Sequence, residues 1–129
     1  MFEVTARLEV REGELEGFVE TAAEIMRHTR EKDTKTLRYD WFISADGTEC
    51  EVREAYVDAD GVLEHHHHIA GAKARLFRDF ADGHHMTFYC EPSPALAEAI
   101  QHIPGVEITQ FSFCQGLDAD VNARDKVLT

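Results

Sequence analysis

Glu54, Tyr56 and His65 are the side chains of this 129-residue sequence best placed to do chemistry together. An acid, a phenol two residues on and an imidazole nine residues later span a predicted strand-to-helix junction. Only imidazole among these changes protonation near neutral pH without help from its surroundings. A base, a hydrogen-bonding phenol and an acid held on a core face are the parts needed to move a proton off a bound molecule. Glu54 falls on the apolar parity of its strand, where a carboxylate is costly unless it is paired or hydrogen-bonded. That position makes it a candidate functional group, alongside the alternative of a carboxylate paired for structural reasons.

The elements that must position these groups follow from periodicity. Phe2, Val4, Ala6, Leu8 and Val10 alternate with polar residues, so a half-buried strand is expected over 2–10. Beyond Gly13, the positions Leu15, Phe18, Val19, Ala22, Ile25, Met26 and Thr29 recur at three and four residues and predict a helix of about five turns. Residues 37–44 and 50–56 read as strands joined at Asp46-Gly47, a hairpin signal because Gly accepts positive φ. Asp58 is a fitting N-cap for a helix to about Ile69. Gly71 should interrupt it, a second helical piece should bury Ala74, Phe77, Phe80 and Ala81, and Gly83 should cap that piece.

A fourth strand is expected over 85–91. Ser93-Pro94 opens a short helix with Leu96, Ala97, Ile100 and Ile103 inward. A last strand is expected over 106–113. The first six elements make a split βαβ, ferredoxin-like pattern, an α+β fold with helices covering one face of an antiparallel sheet. The expected organisation is one domain over 1–115 followed by a polar tail over 116–129. Phe42, Ala55, Tyr89, Phe111 and Phe113 fall on the opposite face, which is therefore expected to join a second copy in a homodimer.

Composition limits the partners. The net charge of -12 repels phosphate backbones and anionic membranes, although protonating all eight histidines would bring it to -4. No nucleic-acid or membrane partner is expected. The start of the chain has no signal-peptide pattern, and no apolar run approaches the length of a membrane span. Cys50, Cys90 and Cys114 are odd in number and form no CxxC pair. They read as buried reduced thiols, consistent with a cytoplasmic location.

With these elements in order, the chain resembles the antibiotic biosynthesis monooxygenase superfamily of dimeric α+β barrels. The resemblance rests on element order over about residues 2–113, on Glu54 and Tyr56 as an acid-x-aromatic pair, on His65 in the next helix and on Trp41 in the second strand. It implies a cofactor-independent monooxygenase that oxidises a small quinol or polyketide-like phenol with dioxygen. The expected catalytic residues are His65, Glu54 and Tyr56. The aromatic substrate is expected against Trp41, Tyr39, Val52, Phe77 and Phe80. No cofactor is expected. The haem-degrading branch uses an asparagine on the first strand. The only asparagine here is Asn122, so that chemistry is not expected.

Two alternatives stand beside this reading. One is a non-catalytic dimeric module of the same fold that binds a small ligand. The other is a metal-dependent variant built on His65 and His68. His65-His66-His67-His68 resembles a purification tag, but 61 residues follow it, so it reads as native. Consecutive helical residues step by about 100°, so only His65 and His68 share a face. Two ligands do not close a zinc site, although His84-His85 could converge on them.

Overall fold

The computed structural model describes residues 1–117. Within them the chain forms β1 (Phe2–Val10), α1 (Leu15–Lys32), β2 (Thr36–Ile43), β3 (Glu49–Tyr56), α2 (Ala59–Asp79), β4 (Ala81–Tyr89), α3 (Pro94–Gln101) and β5 (Glu107–Phe111). The sheet order is β2-β3-β1-β4-β5. The first four strands are antiparallel in the ferredoxin-like arrangement, and β5 adds parallel to β4, so the sheet is mixed. A parallel neighbour requires a crossover, and α3 supplies it.

The alternating residues of β1 do what their pattern predicts. Val4, Ala6, Leu8 and Val10 are buried with Cys50 and Val52 of β3 and Met86 and Phe88 of β4. α1 buries a narrower stripe than its apolar spacing suggested. Phe18, Ala22 and Ile25 are inside, whereas Leu15 and Val19 are exposed at its flanks. Thr21 and Thr29 are buried instead, because each hydroxyl donates to the carbonyl four residues back, on Gly17 and Ile25. The β2–β3 turn is closed by Asp46, whose Oδ1 accepts from the Ser44 hydroxyl and the Thr48 amide, with Gly47 at positive φ.

Three expectations for the second half change. α2 runs unbroken through Gly71, which is solvent-exposed, so the predicted interruption is absent. A glycine lowers helix stability by about 1 kcal/mol, too little to break a helix whose other face is packed. Ala74 is accordingly exposed and Phe77 half-buried. Gly83 is not the helix cap. It lies in β4 at positive φ, where the register with β1 shifts between Arg7 and Glu9. The end of α2 is satisfied from outside: Arg11 donates to the carbonyls of Phe77 and Arg78. In α3, Leu96 and Ala99 are buried and Ala97 is exposed.

Asp58 and Ser93 cap α2 and α3 as expected, accepting from the amides of Gly61 and Leu96. On the open face Phe42, Tyr89, Phe111 and Phe113 are exposed, but Ala55 is buried on the floor of a cleft. Of the thiols, only Cys50 is fully buried, and burial pushes it up to about 12. Cys90 is partly covered and Cys114 is exposed, so the expectation of three buried thiols holds for one. No helix among the described residues is long and apolar enough to cross a membrane. Most of the expected C-terminal tail lies outside the described residues.

Candidate active site

Strand alternation and helical spacing bring the chemical groups together under the helices. β3 presents Val52, Glu54 and Tyr56 on the core side, and β2 presents Tyr39 opposite Glu54 and Trp41 opposite Val52. α2 lays His65 across them. The His65 ring sits 4.4 Å from Tyr39 and 5.6 Å from Tyr56, centroid to centroid. His65 is 1% exposed and Glu54 5% exposed. The buried carboxylate is not alone: the Tyr56 hydroxyl donates to Glu54 Oε1 at 2.5 Å. Burial raises the Glu54 carboxyl above its ordinary value, opposed by His65, the Tyr56 hydrogen bond and Lys73.

The decisive partner of His65 is Asp33, the residue that ends α1. Its Oδ2 lies 2.8 Å from His65 Nδ1 and its Oδ1 lies 2.6 Å from His68 Nδ1, while the Thr36 hydroxyl donates to Oδ2 at 2.6 Å. Burial pushes the Asp33 carboxyl up. The hydrogen bonds from His65, Thr36 and His68 outweigh that and bring it down to about 2. An ionised carboxylate only accepts, so both imidazoles must carry a proton on Nδ1. Neutral His65 therefore keeps a lone pair on Nε2. That atom is buried and has no hydrogen-bond partner.

His65 lines a cavity of about 30 Å³ whose wall includes Tyr39, Trp41, Val52, Glu54 and Phe77. A space of this size takes water-sized groups and no aromatic ring. Besides His65 Nε2, Trp41 Nε1 and both ring nitrogens of His66 are buried without partners. Buried polar atoms normally find partners, so these four nitrogens are the groups of the site with hydrogen-bonding capacity to spare. Tyr56 packs beside His65 rather than on the cavity wall. Phe80 lies apart, over Gly17 of α1, where an added Cβ would collide with its ring.

The cavity also gathers groups that the pattern of the sequence did not single out. Lys73, two turns beyond His65 on α2, and His66 join the wall, together with His84. His84 stacks on Phe77 at 4.9 Å. Reading α2 as one continuous helix would have placed Lys73 on the His65 face, since 65, 69 and 73 share a stripe. Asp33 carried no local signal beyond its place at a helix end.

Among the described residues, one set could hold a metal ion: ligand atoms of Asp33, Glu64 and His68 lie within 4.8 Å of one another. His65 is outside this set, because its Nδ1 takes the other Asp33 oxygen. The Glu64 carboxylate accepts from the Thr34 amide and hydroxyl. All three side chains are thus held by hydrogen bonds within the protein. A larger cleft of about 730 Å³ lies on the open sheet face, lined by Arg53, Ala55, Tyr89 and Phe111 among others. It is the roomier space and is also lined by charged residues, Arg38, Asp58 and Glu91 among them, whereas the smaller one gathers the histidines His65, His66 and His84 with Lys73.

The profile of the family described as antibiotic biosynthesis monooxygenase matches residues 1–88. The chain belongs to this family. The matched stretch contains every group of the His65 site. Antibiotic biosynthesis monooxygenase folds also recur among solved structures. MupZ from Pseudomonas fluorescens superposes with a TM-score of 0.68 at 23% identity, covering 89% of this chain and 88% of its own. Rv0793 from Mycobacterium tuberculosis superposes with a TM-score of 0.61 at 23% identity, covering 73% and 97%. A protein described as an antibiotic biosynthesis monooxygenase gives 0.63 at 15% identity, covering 73% and 100%. At these identities the likeness is one of fold. No curated protein matches by sequence.

Proposed function

We propose that this family member is a cofactor-independent monooxygenase that oxidises a small quinol or phenol with dioxygen. The observation that carries the reading is the buried His65, held on Nδ1 by Asp33 and unpartnered on Nε2, which lines one cavity with Trp41, whose Nε1 is also unpartnered. In this reading Nε2 takes the phenolic proton, and Trp41 Nε1–H donates to the resulting oxyanion. The electron-rich ring passes one electron to dioxygen, the two radicals join in a C–O bond, and the hydroperoxide loses water to leave a carbonyl. Phenol and dioxygen thus become quinone and water. Asp33 stabilises the imidazolium formed on the way, and the Glu54–Tyr56 pair holds the adjoining wall. Tyr39, Val52 and Phe77 supply apolar surface, while Phe80 packs against Gly17 of α1.

The small size of the cavity favours a second reading, a binding module without turnover. A space of about 30 Å³ accepts a hydroxyl, not a ring, so catalysis requires the half-buried Trp41 or Phe77 to swing aside. We further propose that the protein pairs as a homodimer through its open sheet face, where Phe42 and Phe111 are 50% and 57% exposed.

Oxygen uptake by untagged protein with a panel of benzo- and naphthoquinols, chelator present, tests the main reading. Uptake above autoxidation that is lost in His65→Ala is the expected result. Uptake equal to the blank across the panel would favour the binding module, and uptake unchanged in the variant would remove His65 from the reaction.

A further inference from the structure

The His65 cavity has one wall that the proton-transfer scheme does not use. His66, Lys73 and His84 line it together. Neither ring nitrogen of His66 has a hydrogen-bond partner, and both are buried. No hydrogen bond or ion pair engages the Lys73 ammonium among the described residues. His84 meets the ring of Phe77, an apolar neighbour that offers its nitrogens nothing. Three basic side chains thus face one small space.

The acids near this wall do not neutralise it. Glu54 shares the cavity and attracts Lys73, but it accepts from Tyr56 and is pushed towards its neutral form by burial. Asp33 stands behind His65, already accepting from His65, His68 and Thr36. Without a bound acid, the Lys73 ammonium lacks a full counter-charge and the N–H groups of this wall lack hydration. Consistently, burial holds His66, His84 and Lys73 below their ordinary values, and Lys73 adds to the effect on both histidines. An acceptor carrying negative charge would relieve both deficits, taking N–H donors and supplying the missing counter-charge. A neutral hydroxyl would relieve only the first.

Resting on the oxygenase reading for the reaction, we infer that the His66–Lys73–His84 wall recognises an acidic group, so that the substrate is a phenol or quinol bearing a carboxylate. The same movement of Trp41 or Phe77 that the oxygenase reading requires would admit the carboxylate to this wall. Lys73 is then a binding and specificity residue, with a role separate from that of the His65 base.

The chain's single tryptophan is a built-in reporter, because Trp41 lines this cavity and its Nε1 has no hydrogen-bond partner. Salicylate and salicylamide match in shape and differ in charge. Titrating each into the full-length ¹⁵N-labelled protein while following the Trp41 indole resonance should show salicylate binding at least about ten-fold more tightly. Lys73→Met should reduce that preference to about two-fold or less, and Lys73→Arg should keep it. His65→Ala should retain the preference while losing any oxygen uptake. The site is therefore tested separately from the reaction. Equal affinity for the two compounds, binding of neither up to about 10 mM, or a preference that survives Lys73→Met would each overturn the inference.

Discussion

Asp33 Oδ2 and His65 Nδ1 lie 2.8 Å apart across 32 residues of sequence, joining the end of α1 to the first turns of α2. Asp33 is 2% exposed at its side chain and His65 1%. The pair therefore operates away from bulk water, where a fixed tautomer matters most. Asp33→Asn would let the amide donate to Nδ1, favouring the tautomer with its proton on Nε2. Turnover should fall about 100-fold, with KM changed far less. The ¹⁵N shifts of His65 should report the tautomer exchange. Unchanged shifts together with unchanged turnover would remove Asp33 from the mechanism.

Tyr56→Phe deletes the donor to Glu54 and leaves a buried carboxyl without its partner. The expected loss is about 1–3 kcal/mol, read as a lower urea midpoint at pH 7. Combining it with Glu54→Gln should cost less than the two single changes added together, since both act on one bond. Strict additivity would mean that the pair is not coupled.

Acid should destabilise the fold well before the carboxylates titrate. Burial depresses His84 to about 3 and lowers His66 well below its ordinary value. Each is neutral when folded and protonates at about 6.5 when unfolded. Their stabilisation is complete above that pH and is lost as pH falls towards their folded values. The slope is at most about 1.4 kcal/mol per pH unit for each histidine. Asp33 acts in the same direction only at lower pH, as it falls from about 4 towards about 2. Urea midpoints between pH 6.5 and 4.5 isolate the histidines. His84→Gln should flatten the profile in this window, and an unaltered slope would refute the assignment.

Gly17 gives α1 room for the ring of Phe80. A Cβ there would strike the ring itself, not the end of a flexible chain. Gly17→Ala should therefore destabilise by about 1–3 kcal/mol, despite the higher helix propensity of alanine. Phe80→Leu in the same chain should restore part of the loss. A stabilising Gly17→Ala would show that the ring moves freely.

The proposed dimer makes Tyr89 and Phe111, stacked at 6.1 Å on the open sheet face, interface residues. Tyr89→Lys should convert a dimer to a monomer in light scattering while leaving helix content intact. A wild-type protein that is already monomeric at about 100 μM would dispose of this interface.

Much of this protein is legible in the chain alone. The alternation of β1, the stripe of α1, the Asp46-Gly47 turn and the Asp58 and Ser93 caps are local matters, and local sterics and hydrogen bonding decide them. The same is true of Glu54 and Tyr56 sharing a strand face, because a two-residue spacing leaves no other choice. Other features depend on partners distant in sequence. Gly71 stays helical because the far side of α2 is packed, and the carbonyls of its last turn are satisfied by Arg11 from the end of β1. β5 runs parallel to β4 because α3 crosses over to deliver it. Asp33 looks like one polar residue among several after a helix. Its role arises only when α1 and α2 pack and two imidazoles find the same carboxylate. The His66–Lys73–His84 wall forms in the same way, from a helix and a strand that meet around one cavity. Periodicity determines which face a side chain occupies, whereas the packing of separate elements determines what that face meets.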